Sequence, residues 1–458
     1  MDRTTALKCA IVATLALVLL VPVSMIRDLI AERQARRDEA VGGIALGWGQ
    51  RQTLAGPYLA VPYERTWTET TQEIVDGKTR ERRTERTEAR VARLAAGSVE
   101  WTVDAATSEK ARGIYKARLY TSRIRARGQL ALPERFGLAG DSARIKWGTP
   151  RLVLGVSDPR GLRSVGTLSF GEASVEFVPG AGDAALSAGI HAPLDSLRPD
   201  AAQTLAFDFS LELAGSEAFA IAPLARDTAV AMHADWPHPS FQGVFLPARH
   251  ELAPGGFSAR WQISRYAAQG DERLAACERA KPCPQLTAQA LGVSFIEPAG
   301  LYQRLGRASK YGFLFVGLTF AAFFLFELFR RLPIHPIQYA LVGLALAMFF
   351  LLLTALSEHL DFAIAYALAT LACTGLVAAY VGYVLKSARA GLAFGAALAA
   401  LYGVLYMLLG AEDYALLAGS VLLFGLLAAL MIATRRVDWY ELTRSVPRTR
   451  QAGAEPAA

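Results

Sequence analysis

The sequence predicts an α-helical membrane protein that carries a large, β-rich, sandwich-like external domain between an N-terminal anchor and a five-helix C-terminal bundle. Three observations predict it. Residues 311–434 are nearly free of charge, whereas 27–310 are rich in it. Six apolar runs, at 7–26, 311–329, 337–356, 362–385, 391–409 and 414–434, approach the roughly 20 residues that a helix needs to cross a bilayer core of about 30 Å. Between residues 40 and 300 apolar positions recur with period two, broken by Gly and Pro. The division expected is 1–30 for the anchor, 31–305 for the β-rich domain, 306–436 for the bundle and 437–458 for a tail.

The first run, "LKCAIVATLALVLLVPVSMI", has the makings of a signal peptide, but it is long and no A-x-A site follows it. An uncleaved anchor is expected, with a cleaved signal as the alternative.

The external domain contains "SVEWTVDA", "ARIKWGTPRLVLGVSD", "GTLSFGEASVEFVPG", "TLAFDFSLELAG" and "GFSARWQISRYA". Short alternating strands with turn signals between them predict a sandwich or a related antiparallel fold. In "VSDPRGL", Pro159 suits an early helical position. Of four cysteines, Cys9 and Cys373 fall in spans. Cys277 and Cys283, in "CERAKPC", are an isolated pair in the external domain and predict a disulfide on an oxidising side. Residues 78–127 hold 14 basic and 6 acidic side chains. Such an excess fits either a solvated surface or a basic face toward anionic lipid headgroups or an envelope polymer. In "HADWPHPSFQGVFLP" the spacing of His233, Asp235 and His238 suggests metal ligation, but Pro237 and Pro239 exclude a helical ligand face. Trp236 and Phe241 are expected to anchor a turn between strands, with His238 in that turn.

Lys and Arg near the span ends set the orientation. Arg330, Arg331, Lys386, Arg389, Arg435, Arg436, Arg444, Arg448 and Arg450 lie on one side, while "SEHLD" and "GAEDY" carry no basic residue. Both termini are therefore expected in the cytoplasm and residues 27–310 outside. Arg27, Arg33, Arg36 and Arg37 run against this pattern, as a long translocated segment tolerates. Asn is absent, so there is no N-glycosylation sequon, and Arg outnumbers Lys 40 to 8. That bias points to a GC-rich bacterial genome and hence to an inner membrane with a periplasmic domain. Nucleic acid is excluded as a partner by this placement.

The spans contain one acid, Glu327, a turn before Arg330 and Arg331, where i, i+3 or i, i+4 pairing accounts for it. "GLAFG" places Gly391 and Gly395 at a spacing that permits close helix contact. No nucleotide loop, H-E-x-x-H helix or G-x-S-x-G elbow occurs, and no cofactor is expected. "SEHLD" reads as a solvated turn, with Ser357 a candidate helix cap. The alternative to a turn that is solvated throughout is that Glu358, its charge tuned by the pH-sensitive His359, pairs with Arg304, Arg307 and Lys310 of the returning segment "YQRLGRASK".

Taken together, "KYGFLFVGLTFAAFFLFE", "HPIQYALVGLALAMFFLLLTALSEH", "TRRVDWYEL" and "DWPHPSFQGVFLP" resemble the CreD family of bacterial inner-membrane proteins, over nearly the whole chain. The resemblance implies an anchor, a periplasmic domain and a helical bundle, with roles in envelope integrity, colicin tolerance and β-lactam response. It implies no enzymatic activity. The expected function is a non-enzymatic envelope protein whose periplasmic domain senses or binds an envelope component. The alternatives are an enzyme acting on lipid or glycan through Glu358 and His359, and a transporter, which would place polar groups deep in several spans.

Overall fold

The computed structural model describes residues 3–75, 78–138, 144–277, 282–295, 300–312, 316–320, 323, 335–410 and 415–435. The chain divides into two compact units, one of residues 1–38 with 299–458 and one of residues 39–298.

Alternating side chains build the second unit into two sheets, each of nine strands among the described residues. The first runs β10 (Val178–Pro179), β11 (Gly189–Pro193), β6 (Arg151–Val156), β1 (Gln52–Val75), β13 (Ala218–Ala222), β18 (Leu291–Ser294) and β15 (Ser240–Gly243). Strands β2 (Lys78–Ala95) and β5 (Arg144–Trp147) also pair with β1. The second runs β16 (Arg249–Ala253), β17 (Gly256–Ile263), β14 (Asp227–Ala234), β3 (Ser98–Arg112), β4 (Tyr115–Leu132), β12 (Gln203–Ser216), β8 (Leu168–Phe170) and β9 (Ala173–Val175). There β7 (Leu162–Val165) also pairs with β12.

Period two decides which residues face inward. Along β3, Val99, Trp101 and Val103 are buried while Ser98, Glu100, Thr102 and Asp104 are exposed. Phe207, Phe209 and Leu211 do the same on β12. Inward side chains of both sheets, Leu54, Leu59 and Val61 among them, share one core. Trp101 meets Phe209 edge-on at 6.2 Å, and across the sheets Tyr120 meets Phe219 at 6.3 Å. The sandwich is thus held by aromatic burial from both layers. Gly128 on β4 sits opposite Phe207, where an added Cβ would come within 2.5 Å of the ring. Asp158 caps a 3₁₀ turn that begins at Pro159, the early helical position expected for it.

Helix α1 (Arg3–Trp48) runs past the expected anchor end at residue 30. In the first unit it buries Leu19, Val23, Ile26 and Ile30 at helical spacing. In the second, Val41 and Ala45 lie buried, with Ala117 and Leu119 of β4 beside Val41. Trp48 ends the helix, donating from Nε1 to the Tyr120 carbonyl at 3.3 Å, with Lys110 and Arg163 over its ring at 4.1 and 4.6 Å.

Short helices α2 (Arg265–Ala268), α3 (Gly270–Ala275) and α4 (Gln285–Ala288) belong to the second unit. The first contains α5 (Leu301–Lys310), a helical stretch at 316–320, α6 (Pro336–Ser357), α7 (Phe362–Val384), α8 (Ala388–Gly410) and α9 (Ala415–Thr434). Four described helices are long and apolar enough to cross a membrane: α1, α6, α7 and α8. The span expected at 311–329 is described only in part, and Glu327, "AEDY" and the tail lie outside the described residues. "HPIQ" starts α6 with a capping box: His335 Nδ1 accepts from the Ile337 N–H and Gln338 Oε1 from the His335 N–H. Gly391 and Gly395 bring α8 against α7, where a Cβ on Gly391 would lie 2.6 Å from the Gly382 Cα.

Candidate functional site

The polar turn between α6 and α7 is built by its own side chains. Asp361, not Ser357, caps the new helix, accepting from the Ala363 N–H at 2.8 Å. Ser357 is the last residue of α6 and is buried. His359 is exposed, while Glu358 turns inward with only 9% of its side chain exposed.

Side chains from distant parts of the chain meet Glu358. Arg33 of α1 places Nη1 3.5 Å from Oε2, and the Tyr302 hydroxyl of α5 donates to Oε1 at 3.2 Å. Arg33 thus brings a guanidinium to Glu358 from a segment other than the one that holds Arg304, Arg307 and Lys310. Tyr302 and Leu305 face inward on α5. Lys310 is exposed, Arg307 is half-buried, and Arg304 lies over the Phe362 ring at 5.6 Å. The sequence did hold a signal for Arg33, one of the basic residues that run against the charge asymmetry.

In the β domain, Trp236 anchors the turn between β14 and β15. It is 5% exposed, donates from Nε1 to the His238 carbonyl at 2.8 Å, and carries Arg118 over its ring at 4.2 Å. Phe241 packs against Phe257 and Trp261. The His238 side chain is exposed, and Asp235 accepts from the Thr107 N–H at 2.7 Å. The described residues contain no grouping of three or more His, Cys, Asp or Glu placed to hold a metal.

Cys277 and Cys283 are disulfide-bonded, with their Cα atoms 5.7 Å apart. Beside them lies a buried pair that strand periodicity alone does not reveal. Arg93 donates from Nε and Nη2 to Asp183 at 2.6 and 2.7 Å, and from Nη1 to the Cys277 carbonyl at 3.0 Å. Tyr58 donates to the same carboxylate at 2.8 Å, and the Ala185 N–H at 3.1 Å. Burial acts to raise the Asp183 pKa, but the Arg93 charge and these hydrogen bonds outweigh it and hold the carboxyl below its usual range. Burial first, and then the Asp183 charge, push the Tyr58 phenol up.

The outer face of the second sheet carries an ordered charge pattern. Arg123, Arg125 and Arg127 of β4 form a central row. Glu100, Thr102 and Asp104 of β3 flank it on one side, and Asp208, Ser210 and Glu212 of β12 on the other. Arg125 clamps Asp208 at 2.9 and 2.6 Å, and Arg127 reaches it at 3.2 Å. The Arg125 hydrogen bond, ahead of any other effect, holds the Asp208 carboxyl low. Among the described residues Arg123, Glu100, Asp104 and Glu212 make no ion pair. Two adjoining depressions of about 1120 and 620 Å³ share Glu100 and Arg127 and lie along this pattern.

Similarity to known proteins enters on this geometry. Among solved structures, a Legionella pneumophila protein described as nutrient binding is similar over 49% of this chain and 73% of its own, with 5% identity and a TM-score of 0.25. That score carries no functional argument. The inner membrane protein CreD of Escherichia coli (strain K12) is 34% identical over 427 residues, 93% of this chain and 91% of that protein. The profile described as "Inner membrane protein CreD" matches residues 4–440. The anchor, the β sandwich and the apolar helices all fall inside that match, and the chain belongs to the CreD family of inner membrane proteins.

Proposed function

We propose that the chain is a non-enzymatic protein that supports cell-envelope integrity, including colicin tolerance and β-lactam response. Its β domain lies in the periplasm and binds an envelope component, and both termini are cytoplasmic. The nine basic residues against none at alternate span ends support this orientation.

Glu358 carries the reading. Helix α1 leads the chain into the β domain and α5 leads it out, and one carboxylate is held by a side chain of each. A change in either connection is thereby felt at the turn between two apolar helices. A Glu358 engaged by a guanidinium and a phenol, next to an exposed His359, is arranged as an anchor. An enzyme acting through this pair would instead need both groups turned to a substrate.

Charge reversal tests this. Glu358→Arg in the full chain is expected to lower survival of cells under detergent and β-lactam challenge, and Arg33→Glu in the same chain to restore part of it. Glu358 is nearly buried and Arg33 about a third exposed, so an unchanged thermal midpoint in each variant is the control that separates a loss of function from a loss of fold. Unchanged survival for both Glu358→Ala and His359→Ala would overturn the reading.

A further inference from the structure

We propose that the outer face of the second sheet is a docking groove for a cationic, extended polypeptide segment of a partner protein that also carries an apolar side chain. This rests on the reading of the β domain as the binding part of the molecule and names its site and ligand class.

Charge is the first argument. The two adjoining depressions are lined by five carboxylates, Glu100, Asp104, Asp208, Glu212 and Asp227, against three guanidiniums. Arg125 and Arg127 are already committed to Asp208. Asp227 faces Arg265 at 3.7 Å. Among the described residues Glu100, Asp104 and Glu212 have no ion pair and neither has Arg123, and with Arg265 counted five carboxylates stand against four guanidiniums, a net charge of −1. This acidic groove lies on a chain whose formal net charge is +7. An anionic polymer, the partner suggested by the charge excess of 78–127, would meet repulsion here, whereas Lys or Arg side chains find three free acceptors.

Shape is the second argument. The lining passes from β17 through β14, β3, β4 and β12 to β7. Six strands at about 4.8 Å spacing span roughly 24 Å, the reach of about seven residues of extended chain. The wall at one end is apolar, formed by Val244, Phe245, Leu246, Ile263 and Ala267. Val244 is 62% and Leu246 71% exposed, apolar surface that the fold itself leaves uncovered. A polyamine would satisfy the carboxylates but leave this wall bare. A neutral glycan would find hydroxyls but no flat aromatic ring among the exposed residues of the floor.

The test uses the full chain in lipid nanodiscs and three fluorescent probes: a ten-residue Lys/Leu peptide, its Glu/Leu counterpart and a neutral β-linked tetrasaccharide. The Lys/Leu peptide is expected to bind, with an affinity that falls as salt rises. The triple variant Glu100→Gln, Asp104→Asn, Glu212→Gln is expected to weaken it about tenfold, each exposed pair contributing up to about fivefold. Leu246→Ser is expected to weaken it with no change in salt dependence. These positions are at the surface, so an unchanged thermal midpoint serves as the folding control.

Lys/Leu binding that ignores the triple variant, or preferential binding of the Glu/Leu peptide or the tetrasaccharide, overturns the groove assignment and leaves a binding role for the domain standing. Binding of none of the probes also overturns it. The broader reading is judged separately by the Glu358 survival phenotype.

Discussion

Arg93 and Asp183 offer a perturbation whose size follows from their surroundings. Their side chains are 5% and 0% exposed, and they share two short hydrogen bonds. Arg93→Met removes the guanidinium that clamps Asp183 and, among the described residues, leaves a buried carboxylate with the Tyr58 hydroxyl and the Ala185 N–H as its hydrogen-bond donors. Stranding one member of a buried ion pair costs about 3–5 kcal/mol. At about 2–4 °C per kcal/mol for a domain of this size, the lower figure alone lowers the midpoint by roughly 6–12 °C.

Six of the seven tryptophans lie between Trp48 and Trp261, so fluorescence-detected melting of the full chain in detergent reports on the β domain. The triple variant Arg93→Met, Asp183→Leu, Tyr58→Phe removes every charge and the orphaned hydroxyl together, and is expected to recover most of the loss.

Acid adds a second readout. Because the folded Asp183 carboxyl is held low, its contribution is complete above the unfolded value of about 3.9 and is lost as pH falls through the lower folded value. In Arg93→Met the stranded carboxyl takes up its proton more readily, so the gap between wild type and variant narrows below about pH 4. A single variant that melts with the wild type, or a triple variant no better than the single, refutes the reasoning.

Further outcomes are expected elsewhere in the chain. Thiol alkylation of the unreduced, denatured protein should label Cys373 but neither Cys277 nor Cys283, and reduction should cost the β domain about 2–3 kcal/mol. Labelling of both bridged cysteines without reductant would contradict the bond. Gly391→Leu forces a side chain against the Gly382 Cα and should destabilise the α7–α8 pair by about 1–3 kcal/mol, read as a lower yield of folded protein in detergent. Gly403→Ala, at a position with open space, should not. Alkaline phosphatase fused after Ser294 should be active and after Trp439 inactive; activity at the second site would reverse the orientation.

The sequence by itself determined whatever depends on local periodicity. A strand's side chains alternate because successive Cβ atoms point to opposite faces, so "SVEWTVDA" and "TLAFDFSLELAG" disclose their buried residues before any partner strand is known. Length and apolarity mark α6, α7 and α8 because hydrocarbon tolerates little else. The spacing in "CERAKPC" is short enough for the bridge to need no distant contact.

Only the tertiary structure decided which distant residues meet. Helical phase on α5 turned Tyr302 inward, and packing of α1 brought Arg33 to Glu358 from the other end of the chain. Arg93 lies on β2, paired with β1, and Asp183 in the segment between β10 and β11, so their meeting depends on how those distant segments pack. The charge pattern on the second sheet appears only when β4 is placed between β3 and β12 in a fixed register, since a shift by one residue would turn every one of those side chains to the other face. Pairings of that kind are chosen by the whole core at once, and no local stretch of the chain contains them.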